Sequence, residues 1–391
     1  MTDTQQRALC LIRHALKGKA DDQADRPVYE LLGKHALTAL FLPALPNIRM
    51  PDDLRAEWKR AAVRQLSVNQ RLLIAEETLP LTVPYVVLKG TQAARYYPEP
   101  ALRAQGDIDV MTGREDYEEA CGQLLAAGFE ENTVIPAGGV IRHRGFIKDG
   151  IEVEVHAYFA MLKGPEQARY MDDLIIDHID PSHVLPDPVN GLVILEHLSQ
   201  HLEEGIGLRQ VIDWMMFAER CLNDQTWPDF RRMTDRTGLT GLAKAVSAVC
   251  VHYLGMTPGE YSADVDEDLC LRLIDYVMNS GNFGSLQTLE SLKSKKLISA
   301  ARSPRKLFSI LQHYGLMNWP AARKYTLLRP FAWLYQLGRY LKKGAQRADA
   351  IGMLRREADA SFQRNRLMDE LGVGQFARGS AVYSDGAYRS G

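Results

Sequence analysis

The stretch that decides the fold reads Gly106-Asp107-Ile108-Asp109-Val110. Successive side chains of a β-strand point to opposite faces, so Asp107 and Asp109 share one face while Ile108 and Val110 share the other. The apolar face can pack against helices, which leaves two carboxylates converging on one point. Like charges held this close repel each other unless a cation lies between them or one acid is protonated. Hard oxygen ligands of this kind suit Mg²⁺ or Mn²⁺.

Upstream of this strand, a glycine turn leads from a buried strand into a short helix. The strand is predicted at Tyr85–Leu88, and Lys89, Gly90 and Thr91 follow it. A glycine here lets the backbone approach phosphates, and a helix N-terminus supplies N–H groups with partial positive charge. We predict that Gly90 and Thr91 position phosphate groups, and that Lys89 and Arg103 neutralise their oxygens. A strand-terminal Gly-Thr is also common as a plain turn.

Downstream, a β-hairpin is predicted from strands at residues 140–147 and 151–158, joined by the strong turn signal Asp149-Gly150. One face of the second strand is apolar, and the other consists of Glu152, Glu154 and His156. If this strand lies beside Asp107–Val110, Glu154 supplies a third carboxylate. Three acids, two metal ions and a triphosphate make a phosphoryl-transfer centre. The alternative is a solvated hairpin face, the usual meaning of such alternation.

The chain is long enough for two or three domains. Apolar residues recur at helical spacing over residues 1–78, and residues 79–185 contain the strands, helices and hairpin of a compact α/β unit. Residues 186–371 are almost entirely helical in pattern. Residues 372–391 are rich in Gly, Ser, Ala and Tyr without periodicity, which predicts a disordered tail.

Bulk composition excludes several classes of protein. The hydrophobic and charged fractions, 46% and 25%, are ordinary for a globular chain, and a net charge of −2 gives no global attraction to nucleic acid or membrane. The five cysteines lie far apart and form no C-x-x-C pair, which favours reduced thiols in a cytosolic protein. The N-terminus has no apolar signal region, and no apolar run approaches the ~18 residues of a membrane span. We therefore predict a cytoplasmic location.

One segment departs from this balance, because residues 291–348 contain thirteen Lys or Arg and no Asp or Glu, with aromatic residues interleaved. Basic and aromatic residues together can bind RNA through phosphate contacts and base stacking. A helix of this composition can also lie on an anionic membrane. The third alternative is structural, with these charges balancing the acidic region at residues 257–290.

The helical region offers four further candidates, which are His197, His201, Arg209 and Asp213. Two histidines one helical turn apart can bind zinc, but the H-E-x-x-H order and a third ligand are both missing. His201, Arg209 and Asp213 either face the cleft and contact nucleotide or acceptor, or form a polar network between helices. The sequence leaves both alternatives open.

These segments resemble the polymerase-β nucleotidyltransferase superfamily and, more closely, a bacterial "nucleotidyltransferase family protein" group. The elements that carry the resemblance are Leu88-Lys89-Gly90, Tyr97-Pro98, Arg103, Asp107-Ile108-Asp109, Glu154-Val155-His156 and the residues His197, His201, Arg209 and Asp213. The match selects Glu154 over Glu152 as the third acid. One departure is Thr91, which stands where the wider superfamily prefers Ser or Gly. Its added methyl group limits how closely the loop can approach phosphate.

The resemblance implies an α/β (α+β) fold, a polymerase-β-like palm with a mixed sheet, flanked by N-terminal helices and a large C-terminal helical region. It implies Mg²⁺- or Mn²⁺-dependent transfer of a nucleoside monophosphate from an NTP such as ATP to a hydroxyl acceptor, with release of pyrophosphate. The metal ligands would be Asp107, Asp109 and Glu154, and His156 would join the possible acceptor or base contacts. The acceptor remains open between a small molecule, a glycan intermediate, a protein and RNA. The alternatives are a non-catalytic nucleotide-binding or scaffold protein, or an RNA- or membrane-binding module.

Overall fold

The computed structural model describes residues 1–17, 23–133, 141–202, 205–282, 308, 311–312, 315–316, 318–319, 321–322, 325–345 and 362–373. The chain divides into two compact units, one of Met1–Leu286 with Met368–Gly391 and one of Gln287–Leu367. The four-part division at residues 78, 185 and 371 remains a prediction.

The first unit contains a mixed sheet, and two of its strands form the hairpin predicted from the sequence. Its strands are β1 (Tyr85–Leu88), β2 (Ile108–Thr112), β3 (Glu130–Glu131), β4 (His143–Lys148) and β5 (Ile151–His156). Their order across the sheet is β1-β2-β5-β4-β3, and only the β2–β5 pair among these described strands is parallel. The mixed α/β character predicted from the sequence is confirmed, while the assignment to a polymerase-β palm remains a prediction.

Helices surround this sheet and continue beyond it. The first unit contains α1 (Asp3–Lys17), α2 (Arg26–Lys34), α3 (Asp52–Glu77), α4 (Gly90–Ala94), α5 (Tyr117–Ala126), α6 (Pro165–Ile176), α7 (Asp187–His201), α8 (Leu208–Cys221), α9 (Trp227–Thr237), α10 (Thr240–Val249) and α11 (Glu267–Ser280). Short 3₁₀ turns lie at Ala39–Phe41, Leu45–Asn47, Pro100–Leu102 and Glu260–Ser262, and a π-helical turn at Cys250–Leu254 extends α10.

Local sequence explains several of these boundaries. The carboxylate of Asp25 caps α2 by accepting from the backbone N–H of Val28, and Gly238 ends α9 in the left-handed conformation that glycine tolerates. Asp149 and Gly150 both have positive φ, 52° and 73°, in the tight turn between β4 and β5. The predicted hairpin turn is therefore confirmed.

One face of the sheet is apolar, and its side chains form a hydrophobic core together with those of α5. Ile108 and Val110 of β2 and Val153 and Val155 of β5 are buried there against α5, with Phe146 of β4 beside them. Each large apolar side chain contributes about 1.5–3 kcal/mol when fully buried. Because strand side chains alternate, burial of these residues places the even-numbered residues of β5 and the odd-numbered residues of β4 and β2 on the opposite face.

The opposite face of the sheet is approached by α7 and α8, two helices buried along most of their length. Gly191 allows their close contact, because a Cβ atom there would lie 2.1 Å from Cζ of Phe217. The side-chain amide of Asn190 donates to the Gln92 carbonyl (2.9 Å) and so joins α7 to α4. The helix pair is thereby fixed near the polar side of β2 and β5.

The second unit contains a 3₁₀ turn at Thr326–Phe331 and the helix α12 (Ala332–Ala345). The rings of Trp319 and Tyr335 stack there with centroids 5.0 Å apart. The residues of this part of the chain that lie outside the described ones are 283–307, 309–310, 313–314, 317, 320, 323–324, 346–361 and 374–391. The predictions for most of the basic segment 291–348 and for the tail therefore stay predictions.

Within the described residues, no helix combines the length and the apolar character that crossing a membrane requires.

Candidate functional site

The three carboxylates predicted from the sequence meet on the polar face of the sheet. β2 and β5 pair in parallel so that Asp109 lies directly opposite Glu154. One oxygen from each of Asp107, Asp109 and Glu154 falls within 4.8 Å of the others. Asp109 is buried, while Asp107 and Glu154 are partly exposed. The register of two strands therefore brings together acids that are far apart in the sequence.

Lys89 lies against the most buried of these acids. Its Nζ is 2.6 Å from Oδ1 of Asp109, and only 12% of the lysine side chain is exposed. Lys89 is the residue between β1 and α4, and its φ of 53° with ψ of −129° is a conformation that non-glycine residues rarely adopt. A strained turn thus directs the lysine toward the carboxylates.

His156 lies beneath the acids. Its ring is fully buried, with Nε2 at 2.8 Å from Oδ1 of Asp109 and 3.4 Å from Oε2 of Glu154. The residues that line the cavity described below do not include it. This placement suits a residue that orients the two carboxylates, whereas a contact with acceptor or base, as predicted from the sequence, requires access to the cavity.

The acids differ in their affinity for protons. The neighbouring carboxylate of Asp109, together with burial, raises the pKa of Asp107 to about 6. Burial works to raise the pKa of Asp109, but the ammonium of Lys89 and the hydrogen bond from His156 outweigh it and hold that pKa well below its ordinary range. Repulsion between two carboxylates on one face is the situation that a bound cation relieves.

The acids open into a cavity of about 140 Å³. Its lining residues are Lys89, Gly90, Arg103, Gln105, Gly106, Asp107, Asp109, Arg142, His143, Glu154, His197, Gln200, His201 and Arg209. The carboxylates come from the sheet, and the cations come from the segments around it. A site with anions on one wall and cations on the others has the charge distribution needed for a metal ion with a polyphosphate.

Arg103 and Asp213 form a buried ion pair with each other. Nε and Nη2 of Arg103 each donate to a different oxygen of Asp213 at 2.7 Å, and the Tyr97 hydroxyl donates to the same carboxylate at 2.8 Å. Nη1 of Arg209 donates to the carbonyl of Ala104 at 2.9 Å. These bonds join α8 to the segment that enters β2, which favours the polar network over the acceptor contact for Asp213.

Gly90 and Thr91 have different surroundings. Gly90 has a positive φ of 27° and lines the cavity. The hydroxyl of Thr91 donates to Oε1 of Glu76 on α3 at 2.6 Å, and Thr91 is not among the cavity-lining residues. The backbone of the turn is therefore available to a ligand, while the threonine hydroxyl is occupied by α3.

His197 and His201 both line the cavity, with their Nε2 atoms 3.0 Å apart. Burial lowers the pKa of His201 to about 3 and that of His197 well below its ordinary value, so both rings are neutral near pH 7. Within the described part of the chain, the groups of three or more possible metal ligands are Asp107 with Asp109 and Glu154, and His143 with Glu154 and His156. The pair on α7 therefore has no third ligand there.

The cavity residues that were not singled out from the sequence include two with ionisable side chains, Arg142 and His143. Arg142 donates through Nη1 to Oε1 of Gln200 at 2.7 Å, and His143 has Nε2 at 3.3 Å from Oε1 of Glu154. His143 pairs with His156 across the hairpin, so the facing ends of its two strands were the available signal. Arg142 precedes β4, and no local pattern distinguishes it.

The residues present fit a hard divalent cation. Three carboxylate oxygens within 4.8 Å of one another form the donor set that Mg²⁺ and Mn²⁺ prefer, and Lys89 already places a positive charge at the same point. A family model described as an uncharacterised nucleotidyltransferase matches residues 24–255, which include every cavity residue. No curated protein and no solved structure gives a significant match.

Proposed function

The chain belongs to this uncharacterised nucleotidyltransferase family, and from that membership we propose that it transfers a nucleoside monophosphate from an NTP to a hydroxyl acceptor and releases pyrophosphate. The observation that carries the proposal is the convergence of Asp107, Asp109 and Glu154 at one edge of a cavity whose other walls carry cations. Phosphoryl transfer depends chiefly on positioning and on charge stabilisation, and this arrangement provides for both.

We propose that the three carboxylates hold Mg²⁺ or Mn²⁺. When bound, such a cation polarises the phosphoryl oxygens and stabilises the charge that develops on them. Asp109 is the most rigid of the three, because Lys89 and His156 both contact its Oδ1 atom. Glu154 is the more accessible of the two facing acids, with 19% of its side chain exposed against 2% for Asp109. Glu154 is therefore our candidate for receiving the proton of the acceptor hydroxyl.

The triphosphate would lie between the turn after β1 and the cations of the helical side. The backbone of Gly90 lines the cavity, and Lys89, Arg142 and Arg209 reach the same space. Arginine suits phosphate because its planar guanidinium donates in pairs. Arg103, by contrast, has its donors directed to Asp213, so we assign it the task of holding the entrance to β2 rather than binding phosphate.

A second candidate function is nucleotide binding without turnover, on the same fold. Two of the residues predicted to bind phosphate have other partners, since the Thr91 hydroxyl donates to Glu76 and Arg103 pairs with Asp213. A site with fewer phosphate contacts holds the triphosphate less tightly in a reactive orientation. Such a protein would sense a nucleotide or act as a scaffold.

Calorimetric titration of Mg²⁺ with each of the four common NTPs tests the binding site. We expect Asp109→Asn and Asp107→Asn to lower the affinity for the metal–nucleotide at least about tenfold, because each removes a charged ligand. Glu152→Gln is the matched control, since Glu152 lies two residues from Glu154 on the same strand and accepts from Asn132 instead. Affinity unchanged in folded Asp109→Asn and Asp107→Asn would contradict the proposed site.

A pyrophosphate-release assay then separates the two candidate functions. Release that requires Asp109, with any acceptor including the protein itself, supports the transferase. Tight metal-dependent binding with no release, across acceptors from the small-molecule, glycan, protein and RNA classes, supports the non-catalytic alternative.

A further inference from the structure

The carboxylate of Asp109 already has two partners on one oxygen atom. Oδ1 lies 2.6 Å from Nζ of Lys89 and 2.8 Å from Nε2 of His156. The imidazole is held rigidly in the core, with no exposed surface. The lysine is different, because its ammonium sits on a flexible four-carbon stem at the edge of the cavity. Of the two partners, only Lys89 can move away without disturbing the sheet.

The backbone of Lys89 is held in a costly conformation. Its φ of 53° and ψ of −129° belong to a region that glycine occupies easily and other residues do not. Strain of this kind persists where surrounding structure enforces it, and it is common at ligand-binding sites. Here the strained residue is the one whose side chain reaches Asp109, and Gly90 beside it lines the cavity.

A divalent cation and the lysine ammonium compete for the same carboxylate, that of Asp109. The three acids carry at most three negative charges, and Lys89 neutralises one of them at the position where a metal ligand is needed. Two cations in contact with the buried carboxylate of Asp109 would repel each other strongly. A triphosphate removes the conflict, because its oxygens offer the ammonium a new partner in the same cavity.

We infer that Lys89 is a resident counter-ion of Asp109 that transfers to the nucleotide phosphates, so that the carboxylates bind a divalent cation tightly only together with a triphosphate. This inference rests on the proposed function and deepens it. Cation and nucleotide then bind as one unit, and each strengthens the binding of the other by the same factor. The free protein keeps Asp109 neutralised without taking up metal.

The test measures binding of Mn²⁺ by electron paramagnetic resonance, with and without a non-hydrolysable ATP analogue. In the wild-type protein we expect the analogue to tighten Mn²⁺ binding at least about tenfold, within the usual range of coupling between sites. In Lys89→Met, nucleotide-free Mn²⁺ binding tightens, the affinity for the analogue falls, and the coupling factor shrinks toward the value set by metal–phosphate contact alone. Lys89→Gly, which suits the local backbone, repeats the measurement if the methionine variant does not fold.

Arg142→Met is the matched control. It removes one positive charge from the same cavity, but the guanidinium of Arg142 donates to Gln200 and to the carbonyl of Phe159. We expect it to weaken analogue binding while it leaves the coupling factor and the nucleotide-free Mn²⁺ affinity within about twofold of the wild type. The comparison separates transfer of a specific counter-ion from a general change of charge.

Tight Mn²⁺ binding by the wild-type protein without nucleotide would overturn the inference and leave the proposed function intact. So would equal changes of the coupling factor in Lys89→Met and Arg142→Met. If the wild-type protein binds no Mn²⁺–analogue complex under any of these conditions, the proposed function fails, and the inference falls with it.

Discussion

Replacing Asp213 by asparagine leaves the guanidinium of Arg103 buried without a carboxylate. In the wild-type protein, Arg103 donates twice to Asp213 at 2.7 Å, and the two side chains are each only 3% exposed. Tyr97 adds a third donor to the same carboxylate at 2.8 Å. Removing one partner of a buried ion pair costs about 3–5 kcal/mol, because the remaining charge keeps its desolvation penalty. Asparagine retains one acceptor oxygen, so we expect a loss near the lower end, about 3 kcal/mol.

Thermal unfolding followed by circular dichroism measures this loss. A change of about 3 kcal/mol lowers the melting temperature by roughly 4–5 °C in a unit of this size, because its unfolding entropy is about 0.65 kcal/mol/K. The control is Asp187→Asn, which breaks the pair of Asp187 with Arg95, where the aspartate side chain is 55% exposed. Exposed pairs contribute about 0–1 kcal/mol, so this control should change the melting temperature by less than about 2 °C.

The double variant Arg103→Met with Asp213→Leu tests whether the unpaired buried charge causes the loss of stability. It removes both charges, and we expect it to recover most of the stability lost in Asp213→Asn. A loss in Asp213→Asn no larger than in Asp187→Asn would refute the assignment of a structural network. Normal stability combined with loss of acceptor-dependent activity would instead show that Asp213 contacts the acceptor.

Three further predictions concern single residues. Lys89→Gly should be about 1–2 kcal/mol more stable than Lys89→Ala in urea unfolding, because only glycine relaxes in the strained turn; equal stabilities would show that the turn is not strained. Burial raises the pKa of Glu196 to about 7, so the folded protein retains a proton that the unfolded chain releases near pH 4.5. Stability should therefore fall as the pH rises from 5 to 8, and Glu196→Gln should flatten part of this fall in melting curves. Burial also raises the pKa of Asp172 to about 7, and the pKa of Asp107 is raised to about 6, so these two groups contribute to the remainder. His156→Gln should weaken metal–nucleotide binding by about 10–100-fold while the protein stays folded, because the imidazole orients Asp109; unchanged affinity by calorimetry would contradict that role.

Local pattern predicted the strands of the fold well. Tyr85–Leu88 is a strand over the predicted residues, and the Asp149-Gly150 turn lies where the sequence places it. The short helix predicted after the glycine turn begins within the turn itself and spans Gly90–Ala94, because glycine is tolerated in the first turn although it is unfavourable in a helix interior. The pairing of β2 with β5, which is parallel, could be stated from the sequence only as a condition for bringing Glu154 to the other acids. Pairing between strands far apart in the chain leaves no local signal.

In the candidate site, too, local pattern predicted some residues, while the roles of others depend on contacts between distant parts of the chain. Asp107, Asp109 and Glu154 could be predicted because strand alternation fixes which side chains share a face. The partners of Arg103 and Thr91 could not, since Asp213 lies 110 residues from Arg103 and Glu76 lies on a different helix. A basic residue close to acidic residues in the sequence is predicted to bind phosphate when its ion-pair partner cannot be recognised from the sequence. Arg142 was missed because its place at the cavity depends on tertiary contacts with Gln200.

The parallel pairing of β2 with β5 has a consequence for how the sheet assembles. β1 with β2 and β4 with β5 are antiparallel pairs that form between nearby parts of the chain, whereas the β2–β5 seam joins segments about 45 residues apart. Asp109 and Glu154 face each other across this seam, so their mutual repulsion acts on the one pairing step that is also the slowest to close. A cation at the acids would therefore clamp the two halves of the sheet together. The same carboxylates that serve the chemistry would then make the folding rate of the sheet depend on the positive charge that Lys89 places at this seam.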